Sequence, residues 1–118
     1  MTVSPDHITF LGLGAIGLPM ALRLHGAGFT VTGVDPFPGP RDRAAEADLP
    51  NEERPLSAGS AATVIVMVAD GSQLTQALDG DEHTGTPGLL SLMSPDAVLI
   101  IMSTVGPEAV RAAARRAE

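Results

Sequence analysis

The stretch Phe10-Leu-Gly-Leu-Gly-Ala-Ile-Gly-Leu-Pro-Met20 constrains the fold more than any other part of the chain. It closes a β-branched and apolar run, His7-Ile-Thr-Phe-Leu11, and opens a helical pattern, with glycines at 12, 14 and 17 at the junction. Glycines at that spacing do separate things. Gly12 permits a tight turn, Gly14 lets backbone approach a bound pyrophosphate, and Gly17 lets helix and strand pack closely. The helix turns its free N–H groups and positive dipole end toward the same spot, which makes an anion site without a basic side chain.

Downstream, Gly17, Ala21, Leu24 and Gly28 form a small-residue face suited to lying on a sheet, with Pro19 in the first turn. Leu18, Leu22 and His25 fall on the opposite face, covered either by the rest of the same fold or by a second domain. Gly26-Ala-Gly28 ends the helix. Phe29-Thr-Val-Thr-Gly-Val34 reads as a second strand, and Asp35 stands at its end, 18 residues after Gly17. An acid there accepts hydrogen bonds from an adenosine ribose, and its charge repels a 2′-phosphate. Residues 36–40 hold no arginine or lysine, and Arg41 and Arg43 fall in a helix over Gly39–Ala47, so NAD is favoured over NADP. Asp48 to Pro55 is a polar, proline-bounded loop. It contains no convincing third strand, and one near residues 52–56 would be short and at an edge. Asn51 to Glu53 reads as solvated surface, and Ser57–Ala62 as one helical turn.

Thr63-Val-Ile-Val-Met-Val-Ala69 is apolar or β-branched without alternation, as a central parallel strand buried on both faces requires. Ligands of open α/β sheets lie outside strand carboxyl ends, which places Met67, Val68 and Ala69 beside the cofactor. Asp70 caps a helix over Ser72–Asp79. Gly80 to Gly88 is a flexible, turn-rich loop whose neighbouring Asp81, Glu82 and His83 do not converge on a metal ion. A short helix at Leu89–Met93 precedes a buried strand, Ala97–Met102. Ser103-Thr-Val-Gly-Pro107 follows at its carboxyl end, where a hydroxyl reaches the nicotinamide end of a dinucleotide or caps the last helix, 107–118. His7, distant from the glycine end, reads as a surface histidine. The alternation predicts one α/β domain over residues 1–118, a Rossmann-type, doubly wound, mainly parallel sheet.

Composition narrows the partners. The formal charge is −7, with seven arginines and no lysine, so the basic stripe that nucleic acid requires is missing. No apolar segment approaches the roughly 20 residues of a membrane span, and the amino terminus lacks the basic start of a signal peptide. With no cysteine there is neither a disulfide nor a thiolate metal site, and cytoplasm is the default location.

Gly12-Leu-Gly-Ala-Ile-Gly-Leu-Pro-Met20 and Ser103-Thr-Val-Gly-Pro107 together resemble two segments of the β-hydroxyacid dehydrogenase family, which includes 3-hydroxyisobutyrate dehydrogenase and 6-phosphogluconate dehydrogenase. The resemblance implies a cofactor domain followed by an all-helical domain, with NAD(P)-dependent oxidation of a β-hydroxyacid between them. By position, it implies that Gly12, Leu13, Gly14, Ala15, Ile16 and Gly17 hold the pyrophosphate and Asp35 the adenosine ribose. Met67, Val68 and Ala69 would line the adenine side, Thr104 would hold the nicotinamide ribose, and Ser103 would line the substrate end. This chain departs from the pattern at Ile101, where the family usually has an acid, and it has no lysine, the family's general acid/base. The expectation is the cofactor-binding part of an NAD-dependent 3-hydroxyisobutyrate dehydrogenase-like oxidoreductase, ending before the helical domain and inactive in isolation. A stand-alone, non-catalytic NAD-binding or interaction domain is the alternative. Ala97 to Met102 as an exposed sheet edge would favour self-association.

Overall fold

A computed structural model describes residues 4–67, 71–81, 83, 85–102, 111 and 114–115. Val68, Ala69, Asp70, Ser103 and Thr104 lie outside the described residues. In chain order the elements are β1 (Ser4–Leu11), α1 (Gly17–Gly26), β2 (Thr30–Val34), α2 (Pro38–Glu46) and β3 (Asn51–Glu52). A 3₁₀ turn (Leu56–Gly59) leads to β4 (Ala61–Val66), α3 (Gly71–Asp79), β5 (Gly80–Asp81), β6 (Thr86–Pro87), α4 (Leu89–Leu92) and β7 (Val98–Ile101).

Five strands form one parallel sheet in the order β3-β2-β1-β4-β7. The chain winds outward from β1 through β2 to β3, then returns to β1's other side to lay down β4 and β7. That reversal opens a crevice outside the carboxyl ends of β1 and β4, where ligands of such sheets bind. The strand period of two sends alternate residues to opposite faces. On one face Ile8, Phe10, Val31 and Ile65 meet Leu13, Ala21 of α1, Ala44 of α2 and Leu49. On the other, Leu11, Val34, Val64 and Val66 pack under Ala58 of the 3₁₀ turn, Leu74 and Leu78 of α3, and Leu89 of α4. Helices thus cover both faces, the doubly wound arrangement that the alternation of elements implied.

Several boundaries differ from those expected. In α1, Gly17 and Ala21 are buried as the small-residue face requires, but Gly28 lies beyond the helix, which Ala27 caps. Leu18 and Leu22, assigned to the opposite face, are half-buried against the core of their own domain, whereas His25 is exposed. The third strand exists, but it has only two residues and sits at the sheet edge, held by Gly33 N–H donating to Pro50 O (2.8 Å) and Asp35 N–H to Glu52 O (3.2 Å). The segment read as a flexible loop contains a small antiparallel pair, β5 with β6. His7 is not a free surface side chain. It is half-buried, with Nε2 3.2 Å from Thr32 Oγ1 and Nδ1 3.3 Å from Ser60 Oγ. Ser60 Oγ also lies 3.1 Å from Ser57 O. Among the described residues, no helix is long and apolar enough to cross a membrane.

Candidate functional site

The turn after β1 is bonded to both neighbouring strands. Gly12 N–H donates to Val34 O (2.9 Å), and Met67 N–H donates to Leu11 O (2.8 Å). The three glycines have three different surroundings. A Cβ on Gly12 would overlap the Met67 carbonyl, and one on Gly17 would overlap the Gly12 carbonyl. These two glycines let the turn wedge between the end of β4 and the start of α1. A Cβ on Gly14 would meet nothing within 4 Å. Among the described residues no contact requires glycine at 14, and the open space beside it lies just before the first turn of α1. Leu18 N–H is taken by Gly14 O (3.1 Å). Among the described residues, no backbone hydrogen bond takes up the N–H groups of Ala15, Ile16 or Gly17, the donors that a helix start leaves over.

Asp35 fixes the position of this turn. Its carboxylate is almost wholly buried, at 6% exposure. Oδ2 accepts from Leu13 N–H and Oδ1 from Phe37 N–H, each at 3.0 Å. One side chain therefore clasps the glycine turn to the β2–α2 connection. A carboxylate offers about four acceptor positions, so capacity is left for hydroxyl donors from a ligand. Leu13 is committed inward as well. Its side chain is fully buried against Leu49 and against Gly33, where any Cβ would crowd the Leu13 methyls.

A cleft of about 610 Å³ opens at these strand ends. Gly12, Gly14, Asp35 and Met67, all singled out in the sequence, line it together. Ala15, Ile16 and Gly17 continue from it into α1, with Ile16 67% exposed. The wall also carries polar side chains that had no expected role in the site: Glu53 and Arg54 after β3, Gln73 and Gln76 on α3, and Asp81 of β5. No local pattern marks them, since they reach the cleft only through the order in which the strands are laid down. His83 N–H donates to Asp81 Oδ1 (2.9 Å), and among the described residues no group of three potential ligands could hold a metal ion.

The model of the family described as the NAD binding domain of 6-phosphogluconate dehydrogenase matches residues 7–118. The chain belongs to that family. The 3-hydroxyisobutyrate dehydrogenase of Pseudomonas aeruginosa is 32% identical over 110 residues, which are 93% of this chain and 36% of that protein. The Mycobacterium tuberculosis 3-hydroxyisobutyrate dehydrogenase, solved with L-serine, superposes with a TM-score of 0.81 at 29% identity, covering 99% of this chain and 37% of that one. A second solved structure, the 3-hydroxyisobutyrate dehydrogenase of Salmonella typhimurium, shares the fold with a TM-score of 0.77 at 22% identity, covering 93% of this chain and 37% of its own. This member of the NAD-binding family thus spans little more than a third of the length of the dehydrogenases it matches. The resemblance read from the glycine stretch and the Ser103-Thr104 segment is borne out at the level of the family.

Proposed function

We propose that this NAD-binding domain is the cofactor-holding part of an NAD-dependent oxidoreductase that acts on a small β-hydroxyacid of the 3-hydroxyisobutyrate kind. The observation that carries the proposal is the pairing of an open Gly14 at the start of α1 with a buried, backbone-clasped Asp35 in one cleft. The backbone of Gly12 to Gly17 holds the pyrophosphate, with the N–H groups of Ala15, Ile16 and Gly17 as donors and the Leu13 N–H kept on Asp35. Asp35 accepts from the adenosine ribose hydroxyls. Met67, Val68 and Ala69 line the adenine side, Thr104 holds the nicotinamide ribose, and Ser103 borders the substrate. When bound, the nicotinamide supplies a hydride acceptor, and the domain's own contribution is to bind and orient it.

Taking the hydroxyl proton needs a base beside the reacting carbon. The 118 residues contain no lysine. Of the three histidines, His7 is engaged with Thr32 and Ser60 away from the strand carboxyl ends, His25 lies at the far end of α1, and His83 stands on the exposed turn between β5 and β6 rather than at a carboxyl end of the parallel sheet. The isolated 118-residue chain therefore binds without turning over. Calorimetric titration should show NAD bound at least about tenfold more tightly than NADP, a difference of ~1.4 kcal/mol. Tighter NADP binding would overturn the role of Asp35. Enzyme-dependent NADH formation from 3-hydroxyisobutyrate, glycerate, threonate or 6-phosphogluconate would overturn the inactivity.

In this proposal the protein is cytoplasmic, has no nucleic-acid or membrane partner, and associates with itself. Among the described residues β7 is the last strand on its side of the sheet, with Val98, Ile100 and Met102 exposed along it. Unpaired edge groups beside apolar side chains are a template for pairing with another copy. Light scattering of the 118-residue chain is expected to give a mass that rises with concentration, and a constant monomer mass would count against association.

A further inference from the structure

We infer that Arg54, which lines the same cleft as Asp35, is a second determinant of cofactor choice, its guanidinium taking the 2′-phosphate of NADP and keeping that dinucleotide within the site's range. The inference rests on the dinucleotide reading of the cleft. Asp35 N–H donates to Glu52 O, so the residues after Glu52 leave the sheet next to Asp35 itself. The path of that loop is fixed at several points. Leu56 N–H donates to Arg54 O (2.8 Å), Ser57 N–H donates to Glu52 Oε1 (2.8 Å), and Pro55 between them is buried. Arg54 thus stands on braced backbone in the same cleft wall as Asp35.

Its side chain is exposed, and among the described residues it makes no ion pair or hydrogen bond. Among the described residues lining the cleft it is the one cation, against Asp35, Glu53 and Asp81. The arginines nearer Asp35 in sequence do not substitute for it. Arg41 Nε donates to Phe37 O (3.3 Å), and neither Arg41 nor Arg43 lines the cleft. A guanidinium presents a planar fork of donors that matches a phosphate in bidentate fashion, whereas ribose hydroxyls already have their acceptor in Asp35. Asp35 and Arg54 therefore act oppositely on a 2′-phosphate. The first opposes it by charge and the second binds it, so NADP is weakened without being shut out.

The test is calorimetry of the 118-residue chain with NAD and with NADP, on the wild type, Arg54→Gln and Arg54→Lys. Arg54→Gln is expected to weaken NADP about tenfold while moving NAD by less than about twofold, and Arg54→Lys, which keeps the charge and loses the fork, to fall between. Equal effects on both dinucleotides, no effect on either, or no detectable NADP binding by the wild type would overturn the role of Arg54. Failure of the wild type to bind NAD would instead overturn the dinucleotide reading itself. Arg54 is exposed and unpaired, so both variants should melt with the wild type, as circular dichroism would record.

Discussion

Gly12→Ala is expected to be strongly destabilising. Two costs coincide at that position. The backbone sits at φ 99°, where an L side chain is strained by about 1–3 kcal/mol. The new Cβ also overlaps the Met67 carbonyl, and forcing such an overlap apart in a packed site costs a further ~1–3 kcal/mol. Neither atom can yield cheaply, because Gly12 N–H is bonded to Val34 O and Met67 N–H to Leu11 O, so moving either strains the central strand pairing. A combined loss of about 2–6 kcal/mol is comparable with the whole stability of many domains, about 5–15 kcal/mol. Gly28→Ala separates the two costs. Gly28 has φ 106° but no atom within 4 Å of its Cβ position, so only the strain is added. Urea denaturation should therefore rank Gly12→Ala well below Gly28→Ala, and equal midpoints for the two would show that the Met67 contact does not hold the turn in place.

The sequence was most readable where a structural requirement is local. A strand buried on both faces must be apolar without alternation, and the run read at residues 63–69 is so patterned, although the strand itself spans Ala61–Val66. The spacing from the glycines singled out Asp35 at the end of β2, and the structure places it there, buried beside the glycine turn. Requirements met across the fold leave no such trace. β3 is two residues of ordinary polar type, Asn51 and Glu52, made a strand by the backbone groups of Gly33, Val34 and Asp35 beside them. Since β3 was barely visible, the Glu53–Arg54 segment read as solvated loop, although the strand order carries it into the cleft. His7 was misjudged for the same reason. Its partners Thr32 and Ser60 are 25 and 53 residues away in the chain, and only the pairing of β1 with its neighbours brings them together. Asp35 was identified for what it offers a ribose, but its second task, clasping Leu13 N–H, needs the distance between two loops and could not be read from spacing.

Gly14→Val is expected to produce the opposite signature to Gly12→Ala. Gly14 does not have a positive φ, and its Cβ direction is empty to 4 Å, so a side chain there meets no protein atom at its root. Its position is exposed, and a substitution that touches nothing changes stability by no more than about 0.5 kcal/mol. Binding has no such tolerance. In the proposed pose the dinucleotide's pyrophosphate lies against the backbone of residues 14–17, and an isopropyl group at 14 stands between the phosphate oxygens and the N–H groups meant for them. Charge-assisted hydrogen bonds lengthen and weaken together when the anion is held off, so the loss should be large, about a hundredfold or more in NAD affinity, or ~2.7 kcal/mol. The Asp35 clasp on Leu13 N–H is untouched, which keeps the ribose end of the site intact and confines the loss to the phosphates. Unchanged melting with abolished NAD binding therefore locates the pyrophosphate at the turn. Unchanged melting with wild-type NAD binding would remove the ligand from this turn and the proposed function with it, because no requirement within the protein would then account for a glycine at 14.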